Sequence, residues 1–240
     1  MKYYKFFKPV FALIIFGLAG CTSLHSNIKY DLDDIEESTN KQLKEVVLDI
    51  RAFEDARKSV PENAILFSES NEDYYLKVGE VEYCVNREYV YSQNKEDVPS
   101  QISTIISKHL NKRKAFESVT ANNKEIRADY YLTGKLMRFY GQQEYLSPHG
   151  YSLLGPLGAL VISSVETPII VEIEIVDLAV YRNDGQLLAE IGSVKERFEE
   201  EANGGQNCTN TYRLVNEKLM HVIDKLANKV ETTIINSISR

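Results

Sequence analysis

Basic side chains are outnumbered by acidic ones in this sequence, their one cluster, "KHLNKRK", falling at a helix C-terminus; metal-binding residues are scarce, and its interior has no apolar run of membrane-spanning length. Its 240 residues have a net charge of −7, and the Lys and Arg residues are interleaved with Asp and Glu. Phosphate backbones are bound by clustered cations, so nucleic acid is excluded as a partner. The histidines His25, His109, His149 and His221 are scattered. None has a second His a few residues away, and the one nearby Cys, Cys21 before His25, is taken up by the N-terminal motif described below, so no metal and no cofactor are expected. "GPLG" and "NGGQ" lack the Lys-Ser/Thr of a phosphate loop. "GYSLL" begins like a nucleophile elbow at Gly150 and Ser152, but Leu154 replaces the second glycine, leaving Ser152 as a loop serine. Without a nucleophile–base pair or a paired-carboxylate cleft, the chain is read as non-enzymatic.

What is present begins at the N-terminus. Lys2, Lys5 and Lys8 precede the apolar "VFALIIFGLAG", which is too short for a stable bilayer span, and small residues lead into Cys21. This is the layout of a secretory signal. "LAGC" (Leu18 to Cys21) resembles the lipobox of bacterial lipoproteins. The resemblance implies cleavage after residue 20, diacylglycerol and an acyl chain on Cys21, and anchoring by several buried chains. Thr22 rather than Asp follows, which in that family implies outer-membrane sorting with the domain on the periplasmic face. In that oxidising compartment Cys84 and Cys208, the remaining thiols, are candidates for a disulfide; the alternative is two unrelated cysteines.

Residues 21–44 are read as the lipidated cysteine and a polar tether, and residues 45–240 as one domain. The chain is 43% hydrophobic and 26% charged, enough for a real core. "EVVLDIRAF" alternates as a strand, and the Tyr- and Val-rich 64–92 segment suits a strand pair. Ile102, Ile105, Ile106 and Leu110 recur at helical spacing, with Asp97 as N-cap and Pro99 in the first turn. "ADYYLTGKLMRFYGQQEY" reads as a strand with Tyr131, Thr133, Lys135, Met137 and Phe139 on one side. "IIVEIEIVDLAVY" alternates Ile and Val with acids, one face buried and one wet. Asp184-Gly185 marks a hairpin. A final helix from about Tyr212 aligns Val215, Leu219, Val222, Ile223, Leu226, Val230 and Ile234. The expected fold is α/β (α+β): a two-layer sandwich with a mixed, mostly antiparallel sheet on two amphipathic helices.

The succession "VVLDIRAFEDAR", "KRKAFESV", "ADYYLTGKLMRF" and "DLAVYRNDGQLL" before a closing helix resembles the auxiliary lipoproteins of ABC-type transport systems. More distantly it is similar to lipoprotein activators of penicillin-binding proteins. The auxiliaries carry a Trp before the first helix; this chain has none. The resemblance implies a lipid-anchored periplasmic adaptor with an envelope protein as partner. The alternative is a ligand-binding or hydrolytic envelope lipoprotein with a site assembled from distant residues. Tyrosines of 74–91 are candidate binding anchors or sheet packing.

One further segment calls for an account. Tyr145 to Val165 carries no Lys, Arg, Asp or Glu, yet Pro156 interrupts it and its apolar part falls below the roughly 17–25 residues of a bilayer span. Leu153, Leu154, Leu157, Leu160 and Val161 share a face if it is helical. This excursion, at about 146–167, either packs on its own domain or contacts the membrane surface or a partner.

Overall fold

Alternation of Ile and Val with charged residues makes Ile169, Val171, Ile173 and Ile175 the inward face of one long strand, and its neighbour in the sheet organises everything else. In the computed structural model, residues 35–38, 42–58, 63–68, 74–78, 81–85, 98–123, 125–146, 157, 165–203 and 209–239 are described. In chain order they form β1 (Val47–Ile50), β2 (Glu54–Asp55), β3 (Ala64–Ser68), β4 (Tyr74–Val78), β5 (Val81–Val85) and α1 (Val98–Arg113). There follow β6 (Ser118–Ala121), β7 (Tyr130–Tyr145), β8 (Glu166–Arg182), β9 (Leu187–Asn203) and α2 (Thr209–Ile238). The fold is α+β: among the described residues a large mixed sheet is accompanied by two long helices. The 64–92 segment holds three strands among its described residues rather than one pair.

β7 is the spine of the sheet. Along one edge it pairs antiparallel with β8, from Tyr130↔Arg182 to Gln143↔Ile169. Along the other edge it takes three partners in succession. Parallel β1 lies at Leu48↔Tyr130, parallel β2 at Glu54↔Lys135, and antiparallel β5 at Cys84↔Gln143. β6 pairs outside β1, β4 and then β3 outside β5, and β9 outside β8. The β8–β9 hairpin closes at Asp184-Gly185 as the sequence implies. Gly185 has φ 84° and donates to the Arg182 carbonyl at 2.9 Å, a conformation that glycine adopts without a Cβ clash.

Bulges redistribute the two faces. Between Leu136 and Arg138 the register of β7 slips by one residue at Met137. Leu132, Leu136, Phe139, Gly141, Gln143 and Tyr145 are therefore all buried, whereas Tyr131, Thr133 and Lys135 share the opposite face. The expected grouping of Phe139 with Tyr131 is thus corrected: an inserted residue inverts the pleat beyond it. β8 carries its own irregularity at Asp177, whose φ of 51° suits a short polar side chain. It lets Ile175, Leu178 and Val180 all be fully buried.

Both helices share one core with these strands. All seven stripe residues of α2 are at most 2% exposed, and burying each contributes about 1.5–3 kcal/mol. Pro99 occupies the first turn of α1 and Lys112 and Arg113 the last, favourably placed for the helix dipole; Asp97 lies outside the described residues. Polar contacts stitch the helices together. Arg113 reaches Glu231 at 2.7 Å and Asn228 at 2.7 Å, and His109 Nε2 lies 2.9 Å from Asp224 Oδ1. The chain also joins the domain earlier than residue 45. Leu43 is fully buried, Ser38 N donates to the Arg113 carbonyl at 2.7 Å, and Ser38 Oγ bonds Glu231 at 3.0 Å. Residues 35–38 and 42–44 therefore belong to the domain, not to a free tether.

α2 rests directly on β7 at Gly141. A Cβ there would stand 2.4 Å from Val215 Cγ2 and 3.0 Å from Thr211 Cγ2, so only hydrogen fits. We expect Gly141→Val to destabilise the fold by about 1–3 kcal/mol through overpacking. The measurement is a urea unfolding midpoint; an unchanged midpoint would show that α2 does not bear on β7 at this residue.

Candidate functional site

Register aligns charged side chains in rows on the face of the sheet opposite the core. Arg138, Glu174 and Lys195 fall in one row across β7, β8 and β9, and Tyr140, Glu172 and Arg197 in the next. Glu174 forms ion pairs with Arg138 at 3.1 Å and Lys195 at 3.6 Å. Glu172 is held by Arg138 and, at 3.0 Å, by Arg197. Further along, Lys135 lies 3.3 Å from Asp177 and 3.6 Å from Glu54. The result is a ladder of alternating signs running obliquely over β7, β8 and β9 and reaching β2 through Glu54.

Glu172 departs from the wet-face expectation. It is only 5% exposed although it points away from the core, because two arginines and Tyr140 cover it. Burial pushes its carboxyl up, but hydrogen bonds from Arg138 and Tyr140 and the charges of Arg138 and Arg197 outweigh that push. The net effect holds it below its ordinary 4.5. The same pairing raises Arg138. Held by Arg138 of β7 and Arg197 of β9, Glu172 of β8 acts as an electrostatic staple across three strands.

A second polar knot sits at the start of the sheet. Asp49, fully buried in β1, accepts Thr120 Oγ1 at 2.7 Å and the Asn123 amide at 3.2 Å, and pairs with Arg51 Nε at 3.1 Å. The Arg51 guanidinium stacks 4.1 Å from the Tyr131 ring centre. Sequence reasoning missed this group. An Asp inside an apolar strand with Arg two residues on, hence on the same face, is the signal that identifies it. His109 is also fully buried. Desolvation lowers its pKa, Asp224 opposes, Arg113 lowers it further, and the net direction is down. It is a neutral imidazole between two helices.

Most of the sequence-derived site residues fall outside what the structure describes. Cys21, Cys208, Leu153, Leu154, Leu160 and Val161 lie outside the described residues, as do His25 and His149. Leu157 is 68% exposed. Cys84 is fully buried on β5 and disulfide-bonded. Tyr75, a candidate anchor, is 2% exposed and packs on Tyr145 with ring centres 4.7 Å apart, which makes it core. Among the described residues no group of three or more His, Cys, Asp or Glu could hold a metal. No helix among them is long and apolar enough to cross a membrane.

Glu172 ties this face to pH. Its folded pKa is depressed, so its contribution is present above about pH 4.5 and is lost as pH falls through the folded value. We expect Glu172→Gln to cost about 1 kcal/mol at neutral pH and to flatten the loss of stability below pH 4.5. Denaturant titrations from pH 7 to pH 3 check this; acid limbs of equal slope would refute it. The loss due to His109 is separable, since it begins near 6.5, where the unfolded chain takes a proton that the native state refuses.

No protein-family description matches this chain, and no curated protein matches it. Solved structures similar to it include the following two. One is a crystal structure of a Xanthomonas campestris protein described under the family designation DUF330, 10% identical with a TM-score of 0.48, covering 86% of this chain and 95% of that one. The other is a crystal structure of an uncharacterized protein, 9% identical with a TM-score of 0.34, covering 82% of this chain and 99% of that one.

Proposed function

We propose that this chain is a lipid-anchored, non-enzymatic accessory protein of a bacterial envelope, tethered through Cys21 to the periplasmic face of the outer membrane. The observation that carries this reading is "LAGC" directly after a basic and then an apolar segment. The anchor supplies membrane attachment, leaving the domain to engage an envelope transport or assembly protein. We also read the layers as a two-layer sandwich. In support, inward residues of β7 and β8 share a core with both helices, while the alternate residues carry the charged ladder. Leu157, exposed within the uncharged run, is the described member of the apolar contact surface.

The compartment gives Cys84 a partner. We assign it Cys208, which precedes α2 by one residue. Thr211 in the first turn of α2 lies against Gly141, two residues along β7 from Gln143, the register partner of Cys84. Such a bridge ties the β4–β5 hairpin to α2. Peptide mapping without reductant is expected to recover a Cys84–Cys208 peptide, and the Cys84→Ala, Cys208→Ala double variant to lose about 2–4 kcal/mol. A free thiol at 208 in the oxidised protein would refute the pairing.

Metabolic labelling with palmitate tests the anchor. Wild type is expected to carry label and to sediment with outer membranes, whereas Cys21→Ser remains unlabelled; label on the variant refutes the lipobox. Crosslinking in intact cells then tests the adaptor role. One envelope protein should be recovered reproducibly, with Leu157→Asp reducing its yield and leaving the melting curve unchanged. Failure to recover any envelope protein would remove the adaptor reading.

A further inference from the structure

β9 is an edge strand of 17 residues, and among the described residues its only strand partner is β8. Long regular edges are normally blunted, because their outward N–H and C=O groups template pairing with another chain. Here the irregularities are confined to the turn end: Gly192 has φ 87°, and Lys229 Nζ takes the Ser193 carbonyl at 2.8 Å. From Val194 to Asn203 the register against β8 is unbroken, Ile175↔Val194 to Glu166↔Asn203.

The charges along that regular stretch are polarised. On the face opposite the core the order is Lys195, Arg197, Glu199, Glu201, cations first and acids last. Lys195, Arg197 and Glu199 are 53%, 55% and 59% exposed, and Glu201 is exposed with no ion pair among the described residues. Consider an antiparallel copy of the same strand with its two-fold axis at Phe198. Lys195 then opposes Glu201 of the second copy, Arg197 opposes Glu199, and both pairs repeat by symmetry. Shifting the axis to residue 197 or 199 sets Arg against Arg or Glu against Glu. On the other face Glu196 opposes Glu200, with Glu196 held by Lys225 and Glu200 by Arg213, which Glu217 shares. Lys195, Arg197 and Glu199 also have partners in their own chain, Glu174 for Lys195, Glu172 and Glu199 for Arg197, but each is more than half exposed and can reach a second strand as well.

We propose that β9 pairs antiparallel with β9 of a second copy of this chain, about a two-fold axis through Phe198, joining two sheets into one. Four cross-strand ion pairs select the register, since opposite charges directly across a ladder stabilise it and like charges oppose it. The contact is isologous, so it closes at a dimer and leaves no further edge on that side.

Sedimentation equilibrium of the full chain in neutral detergent tests this. Wild type is expected to dimerise. Glu199→Lys with Glu201→Lys, both at exposed residues, should weaken the dimer by on the order of tenfold or more, as should Lys195→Glu with Arg197→Glu. Mixing the two variants should restore association, because an all-basic edge then meets an all-acidic one. A monomeric wild type, variants that dimerise like wild type, or a mixture that stays apart would each overturn the proposal. Arg197 also touches Glu172, so a second measurement avoids it: Lys195→Cys chains mixed with Glu201→Cys chains should form a disulfide-linked heterodimer on oxidation. Absence of that product would overturn the register.

Discussion

Both edges of β7 are occupied, and the positions of the other elements follow from that. A strand with partners on both sides loses solvent from its backbone, so its N–H and C=O groups must be met by those neighbours, bulges included. β8 satisfies one edge in a single pass. The other edge is divided among β1, β2 and β5, which brings the first strand of the domain and the Tyr-rich hairpin against the same scaffold. Gly141 then sets how closely α2 can lie on β7, and through α2 the separation of the helix layer from the sheet.

The polar groups divide into two kinds of work. Between the helices, Arg113, Glu231, Asn228 and Ser38 form a partly buried network that also retains the segment before β1. On the far face, Arg138, Glu172, Glu174 and Arg197 lock three strands laterally. Surface ion pairs taken singly contribute little. Glu172 differs because it is nearly buried and shared by several donors, so its charge has few alternative partners and its loss is felt.

Much of the fold was legible from pattern. The α2 stripe, the Ile and Val alternation of β8, the Asp184-Gly185 hairpin and Pro99 at the start of α1 all stand where local chemistry implies. The bulges at Met137 and Asp177 were not legible, since a period-two pattern offers no sign that one residue will be skipped. Glu172 could not be told from Glu174 by sequence, because its burial depends on Arg138 and Arg197 from the two flanking strands. Ser38 looked like tether for the same reason: its partners are distant in the chain, Glu231 by 193 residues.

Local signals by themselves determined the candidate lipid anchor, the helix stripes, the strand alternation and the polarised run Lys195 to Glu201. Each depends on spacing within one segment, which the covalent chain carries directly. Tertiary structure alone decided which strands flank β7, which carboxylate is sealed beneath arginines, and that the polarised run lies on an outer edge of the sheet. Those depend on residues brought together from distant parts of the chain, and no local period records their meeting.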